Sequence, residues 1–195
     1  MGSVSDADVS RPSGVKLTYD DFLLFPDDGR RHELIDGEHY VTAAPNTKHQ
    51  RISMRLSVRL GGFIESRQLG QLFAAPFDVL FSRFDVVEPD LVYVSNARAA
   101  VVLTAAHVRG APDLVVEIGS PSTRKRDETI KRRLYERSGV AEYWAVDPDL
   151  DEIRVYRLTD GRFARAVTLS REQGDVLASP LFPGLELSLT EVFAA

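Results

Sequence analysis

The chain has 195 residues, of which 44% are hydrophobic and 27% are charged; these values are typical of folded globular proteins and exclude collagenous, mucin-like and disordered chains. Its 24 Lys and Arg residues against 29 Asp and Glu residues give a net charge of −5, so we expect any contact with nucleic acid to be local. The sequence contains no cysteine, which excludes disulfide scaffolds, zinc–thiolate sites, iron–sulfur clusters and thiol catalysis.

The length predicts a single domain over residues 15–195, preceded by a flexible polar tail over residues 1–14. No stretch approaches the roughly 18 apolar residues of a membrane span, and no apolar signal segment opens the chain. We therefore expect a cytoplasmic protein that makes no contact with membranes.

Helical and strand-like patterns alternate along the chain. In chain order they predict a helix over 17–25, a β-hairpin over 31–42, a helix over 48–67, strands over 72–75, 77–81, 86–94 and 114–118, a helix over 124–137, strands over 142–146, 153–158 and 162–169, and a short helix near 189–194. The late strands are joined by Asp-, Pro- and Gly-containing turns, which favour antiparallel pairing.

Local signals fix three of these elements. Thr18 is a candidate N-cap for the first helix. Asp36 and Gly37 form the two-residue turn typical of a β-hairpin. Thr47 and Gln50 form a capping-box pattern at the start of the long second helix.

Three acidic residues interrupt apolar strands. Asp90 and Glu117 are flanked by Val, Leu, Ile or Tyr, and Glu33 interrupts the first hairpin strand. Burying an unpaired carboxylate is costly, so we expect a positive partner beside them. Carboxylates at neighbouring strand ends would make a hard-oxygen site of the kind that Mg²⁺ uses together with substrate phosphate.

Each acid also has a structural interpretation. Asp90 could be a strand-start acid after Pro89, and Glu33 could be a rim residue paired with Arg30 or Arg31. The sequence alone leaves both interpretations open.

The helix after Glu117 offers a cation for this cluster. Asp127, Lys131 and Tyr135 are spaced i, i+4 and i+8 and form one stripe of a regular helix. Lys131 can therefore reach back toward the sheet, although an exposed lysine is the alternative.

Basic residues are concentrated in two places. Residues 120–137 contain seven Lys or Arg residues and three acids, and arginines recur every four residues in the helix that follows His49. Such stripes are often only solvated faces, but they can also meet a phosphate backbone. The candidate nucleic-acid contacts are Arg124, Lys125, Arg51, Arg55 and His49.

The strings RHELIDGE, EPDLVYV, GAPDLVVEIGSPSTRKRD and GVAEYWAVDP, in this order, resemble the Uma-two family of restriction-endonuclease-like proteins. That family belongs to the PD-(D/E)XK nuclease superfamily, and the resemblance spans about residues 17–190. It implies an α/β fold with a restriction-endonuclease-like core, in which a mixed central β-sheet is flanked by helices. It also implies an endonuclease that uses Mg²⁺ or Mn²⁺ and hydrolyses phosphodiester bonds of nucleic acid, with DNA as the expected substrate.

The resemblance assigns roles to individual residues. Asp90 and Glu117 match the motif acids that bind the metal and take part in catalysis, and Glu33 matches the acid of the N-terminal region. The backbone carbonyl of Ile118 is a further candidate ligand. With these ligands, the expected reaction is attack on the phosphodiester by a water molecule that the metal activates.

One position departs from the superfamily pattern, which has lysine two residues after the motif acid. Gly119 stands there, and Lys131 holds the position in the following helix where the resembling family has its lysine. We interpret Lys131 as the migrated motif lysine, which would orient the water or stabilise the transition state.

Two alternatives come from other functional classes. Gly119 and the acidic net charge also fit a nuclease-fold protein that binds nucleic acid or a protein partner without cutting. A scaffold homodimer, formed through the exposed edge of the late antiparallel strands, is the third interpretation.

Overall fold

The computed structural model describes residues 14–42, 44–120 and 124–194, without the side chain of Lys125. The predicted tail over 1–14 lies outside these residues except for Gly14. Within the described residues, no helix is both long and apolar enough to cross a membrane.

Seven helical segments are found in the described residues. They are α1 (Tyr19–Phe22), α2 (Thr47–Ser66), α3 (Asn96–Val102), α4 (Arg124–Arg126), a π-helical turn (Asp127–Lys131), α5 (Arg132–Ser138) and α6 (Leu189–Val192). The segments from Arg124 to Ser138 follow one another without a break. They occupy the place of the helix predicted over 124–137.

Fourteen strands are found in the described residues. They are β1 (Arg31–Ile35), β2 (Glu38–Thr42), β3 (Gly70–Ala74), β4 (Val79–Ser82), β5 (Asp85–Val87), β6 (Leu91–Ser95), β7 (Val108–Arg109), β8 (Leu114–Ile118), β9 (Glu142–Asp147), β10 (Glu152–Thr159), β11 (Arg162–Phe163), β12 (Val167–Ser170), β13 (Val176–Leu177) and β14 (Leu187–Ser188).

The strands form two main sheets and a small third one. The larger sheet has the order β11-β10-β9-β8-β6-β3, with β12 also pairing with β10. The smaller has the order β2-β1-β5-β4-β7, and β13 pairs with β14. Two neighbouring pairs, β8 with β9 and β4 with β7, are parallel, and the other pairs are antiparallel. Mixed sheets flanked by helices confirm the predicted α/β class.

Strand β8 separates two apolar layers because side chains alternate along a strand. Leu114, Val116 and Ile118 belong to the core cluster that includes the buried face of α2. Val115 belongs to the cluster on the opposite side, which includes Leu134 of α5. Glu117 therefore projects toward the side of the sheet on which α5 packs.

Two local predictions, the cap of α1 and the hairpin turn, are confirmed. Thr18 caps α1 with a full capping box. Asp36 and Gly37 both have positive φ, 54° and 75°, which is the geometry of the two-residue turn that joins β1 to β2. Gly139, with φ of 84°, ends α5 in the left-handed conformation.

The start of the long helix differs from its prediction. The side chain of Asn46, and not a capping box between Thr47 and Gln50, accepts the hydrogen bond from the backbone N–H of His49. Asn and Thr are both good caps, so adjacent candidates cannot be separated by residue type alone.

Three further elements differ in their bounds or were not predicted. The β-rich segment over 86–94, which Pro89 interrupts, forms two strands, β5 and β6, because proline cannot donate to a ladder. Helix Asn96–Val102 was not predicted. The strand expected over 162–169 is also divided, into β11 and β12.

The packing of α2 against the larger sheet gives a stability prediction. Leu60 is fully buried in the core cluster, whereas Val58 on the same helix is 65% exposed. We expect Leu60→Ala to lower the free energy of unfolding by about 2–5 kcal/mol, and Val58→Ala to change it by no more than about 0.5 kcal/mol. Urea denaturation of both variants measures the difference; equal effects would contradict this packing.

Candidate active site

Asp90 lies just before β6 and is held on both carboxylate oxygens. Its Oδ1 accepts a hydrogen bond from Arg31 at 2.7 Å. Its Oδ2 accepts the backbone N–H of Ile118 at 2.7 Å and is 3.2 Å from Nε2 of His49. These contacts outweigh burial and lower the pKa of Asp90, so this carboxylate is ionised.

Lys131 joins two further acids. Its Nζ is 2.7 Å from Oε1 of Glu33 and 2.9 Å from Oε1 of Glu117. The Lys131 side chain is 3% exposed and that of Glu33 is 1% exposed, so these charges meet almost without water. Glu33 lies on the smaller sheet and Glu117 on the larger one, and the lysine bridges them.

Tyr135, one turn after Lys131, completes the contacts of Glu117. Its hydroxyl donates a short hydrogen bond to Oε1 of Glu117, the same oxygen that faces Lys131. Tyr135 is fully buried. One carboxylate oxygen is therefore fixed by two donors from the helical segment, and the orientation of Glu117 follows from them.

The π-helical turn explains why a second basic side chain also reaches Glu33. The guanidinium Nη2 of Arg126 is 3.4 Å from Oε2 of Glu33, and Lys131 lies five residues later. In an α-helix, residues five apart point about 140° away from each other. The i→i+5 pattern of the π-helical turn, which spans Asp127–Lys131, brings them to one side.

Burial and charge act in opposite directions on this cluster. Burial raises the pKa of Glu117, the neighbouring acids raise it further, and Lys131 offsets these effects in part. For Lys131, burial favours loss of the proton, but the carboxylates of Glu117, Glu33 and Asp127 outweigh it and raise its pKa. We conclude that Lys131 remains an ammonium ion.

These residues line one cavity of about 120 Å³. Its acids are Glu33, Glu88, Asp90, Glu117 and Asp127, and its basic side chains are Arg31, His49, Arg126 and Lys131. The carboxyl groups outnumber the lysine and arginine side chains. A phosphate would therefore meet net negative charge unless a further cation were bound or some acids were protonated.

The carboxylates fit a hard divalent cation chemically. Oε2 of Glu33 is buried and has no hydrogen-bond partner in the described part of the chain, and carboxylate oxygens are what Mg²⁺ prefers. No group of three His, Asp or Glu residues among those described is arranged to hold a metal. Mg²⁺ needs only one or two protein carboxylates when water and substrate phosphate complete its shell, so Asp90 and Glu117 would suffice.

The residues predicted to contact nucleic acid lie in different parts of the structure. His49 lines the cavity, where Nε2 faces Asp90. Arg55 donates to the backbone carbonyl of Ala194 near the end of the chain. Arg51 is exposed on α2. Arg124 pairs with Asp147 at 2.9 Å and with Asp149. The side chain of Lys125 lies outside the described part.

Arg31, Glu88 and Arg126 line the cavity but were not identified as site residues from the sequence. Arg31 could have been found, because it shares a strand face with Glu33, two residues away. Arg126 could not, because its position depends on the π-helical turn. Glu88 carried no signal beyond its place beside Asp90, yet burial raises its pKa to about 7 although Arg31 acts against this.

Comparison with known proteins identifies the family and the fold. The family model Uma2, described as "Putative restriction endonuclease", matches residues 19–190. A crystal structure of a protein from Anabaena variabilis ATCC 29413, described as a putative nuclease belonging to DUF820, superposes with a TM-score of 0.77 at 21% sequence identity. The match covers 91% of this chain and 98% of that chain, and it confirms the predicted fold. No curated protein matches the chain.

The raised pKa of Glu88 gives a pH prediction. In the folded protein this carboxyl keeps its proton up to about pH 7, whereas the ordinary pKa is 4.5. Between these values the folded state binds more protons than the unfolded state, so its stability decreases as pH rises. Glu88→Gln cannot ionise and removes this loss. Between about pH 4 and pH 8, we expect the free energy of unfolding of the variant to rise relative to that of the parent by at most about 3 kcal/mol.

Urea denaturation in EDTA at both pH values measures this difference without bound metal. Glu186→Gln, at an exposed carboxyl, is the matched control. A difference between Glu88→Gln and the parent that stays constant with pH would contradict the prediction.

Proposed function

Because the chain belongs to the Uma2 family of restriction-endonuclease-like proteins, we propose that it is a Mg²⁺- or Mn²⁺-dependent endonuclease that hydrolyses phosphodiester bonds of DNA. One observation carries the proposal. Asp90, Glu117, Glu33 and Lys131 come from separate elements of the fold and line the same cavity. Acids and a buried lysine in one cleft are the groups that metal-assisted phosphodiester hydrolysis uses.

Asp90 and Glu117 would hold the cation, with the carbonyl of Ile118 and Oε2 of Glu33, which lies 3.4 Å from Nη2 of Arg126, as further ligands. A divalent cation bound there supplies charge stabilisation and a more acidic water. Arg31 and the N–H of Ile118 keep the Asp90 carboxylate in place. Tyr135 does the same for Glu117. The protein therefore presents its acids in fixed orientations before the substrate arrives.

Lys131 has the position and the charge to act on the phosphate. An ammonium group has three N–H donors, and among the described residues two of them face Glu33 and Glu117. The third can donate to an oxygen of the scissile phosphate as negative charge develops in the transition state. Lys131 would thus take the role of the lysine that the superfamily pattern has at the position of Gly119.

The charge balance of the cavity depends on the ionisation of its acids. Burial raises the pKa of Glu88 to about 7 and also raises that of Glu117, so the charged acids outnumber the lysine and arginine side chains only where these two are ionised. A bound cation would favour the ionised acids and offset their repulsion of a phosphodiester. Arg126, whose guanidinium donates to Thr42 at 2.6 Å and lies 5.4 Å from the ring centre of Tyr40, is the basic group placed to contact an adjacent phosphate.

Cleavage assays test the proposal directly. Supercoiled plasmid, single-stranded DNA and RNA are incubated with the protein in Mg²⁺, Mn²⁺ or EDTA. We expect nicking of DNA with metal and none in EDTA. Asp90→Asn, Glu117→Gln and Lys131→Met should each reduce the rate by about 100-fold or more, because each removes a group that stabilises the transition state.

Matched controls separate loss of chemistry from loss of fold. Glu186→Gln and Lys16→Met make the same chemical changes at exposed positions, and Lys131→Arg keeps the buried charge. Unfolding curves for every variant identify those that no longer fold. Full activity in Asp90→Asn or Glu117→Gln would refute the assigned site. Metal-dependent DNA binding without cleavage of any substrate would favour the non-cutting alternative.

A further inference from the structure

Two histidines meet on the opposite face of the hairpin from the acid cavity. His32 lies between Arg31 and Glu33 on β1, so its side chain projects away from them. On β2, His39 pairs with Leu34, which places it diagonally beside His32 on the same face. Nδ1 of His32 is 3.0 Å from Nε2 of His39.

The rings meet edge to edge. Their planes differ by 9° and their centroids are 5.2 Å apart, which is long for face-to-face stacking when two ring nitrogens are only 3.0 Å apart. The nitrogen lone pair of one ring therefore lies close to the plane of the other ring. One nitrogen of each imidazole ring is therefore directed at the other ring.

Asp28 fixes which nitrogen of His32 carries the proton. Its Oδ1 is 3.0 Å from Nε2 of His32. An ionised carboxylate only accepts hydrogen bonds, so Nε2 of His32 is the protonated nitrogen. Nδ1 then presents its lone pair toward His39. This carboxylate–histidine arrangement is the one that orients imidazole ligands in metal sites.

Phe25 covers the pair from one side. Its ring centroid is 4.3 Å from that of His39 and 5.5 Å from that of His32. The His32 side chain is 10% exposed, so the pair remains open to solvent in part. An apolar cover on one side limits the water around the two nitrogens.

We propose that His32 and His39 form a binding site for a divalent transition-metal cation of the borderline class, such as Zn²⁺, Cu²⁺ or Ni²⁺. Imidazole suits these metals, whereas carboxylate and water suit Mg²⁺. The site is thus separate in place and in chemistry from the acid cavity. It does not depend on the proposed nuclease function.

The geometry needs a small adjustment to hold the metal. With metal–nitrogen bonds of about 2.0–2.1 Å, two nitrogens of a tetrahedral site are about 3.3 Å apart, close to the observed 3.0 Å. Both rings turn about their Cβ–Cγ bonds until their lone pairs converge. As the metal binds, Nε2 of His39 gives up the proton between the rings and Nδ1 of His39 takes one up from solvent, so that His39 stays a neutral imidazole in its other tautomer. Water fills the other positions, since no group of three His, Asp or Glu residues is arranged for a metal in the described chain.

Calorimetric titration of the untagged chain with Zn²⁺, in excess Mg²⁺ to occupy the acid cavity, tests the proposal. We expect one equivalent to bind. His32→Gln and His39→Gln should abolish binding, and Asp28→Asn should weaken it by about 10–100-fold. His107→Gln is the matched control, because His107 lies elsewhere in the sequence and should bind as the parent does. Unfolding midpoints without metal show that each variant folds.

Electron paramagnetic resonance of the Cu²⁺ form gives a second readout, in which hyperfine structure from two nitrogens is expected for the parent and is lost in His39→Gln. Absence of Zn²⁺ binding to the parent would overturn the proposal. So would binding that persists in His39→Gln and disappears in Glu117→Gln, because the metal would then lie in the acid cavity.

Discussion

The charge of Lys131 is buried, and the arrangement of the candidate site depends on it. Removing an ammonium group from water is costly unless opposite charges and hydrogen bonds replace the water. Glu33 and Glu117 supply the charges. Because one belongs to the smaller sheet and the other to the larger, this ion-paired group also fixes how the hairpin sits against the rest of the fold. The ion pairs with Lys131 therefore both position Glu33 and Glu117 and offset the cost of burying them.

The helical segment after β8 is shaped to serve this group. A regular helix would bring Lys131 and Tyr135, four residues apart, to one face, but would send Arg126 to another. The π-helical turn at Asp127–Lys131 turns Arg126 back toward Glu33. Wide turns of this kind are rare and are often found at functional sites. Here the turn gathers three helical side chains around two acids that lie on different sheets.

The sequence predicted most of the elements because caps, turns and alternation are local properties. It also predicted the family, and the structure brings the acids and Lys131 together around one cavity. Arg126 could not be predicted, because helix register is set by packing against the sheet and not by spacing. A Cβ at Gly119 would be 3.4 Å from the carbonyl of Val146, at the limit of ordinary van der Waals contact, so packing alone does not require glycine there.

The two faces of strand β1 contribute to two different sites. Arg31 and Glu33 face the acid cavity, while His32 between them lies on the opposite face and contacts His39. Side chains alternate with a period of two, so a slip of one residue exchanges the faces. Insertion or deletion of a single residue in this strand would therefore damage both faces at once, whereas most substitutions would affect only one. We therefore expect changes in the length of this hairpin to be tolerated only outside β1.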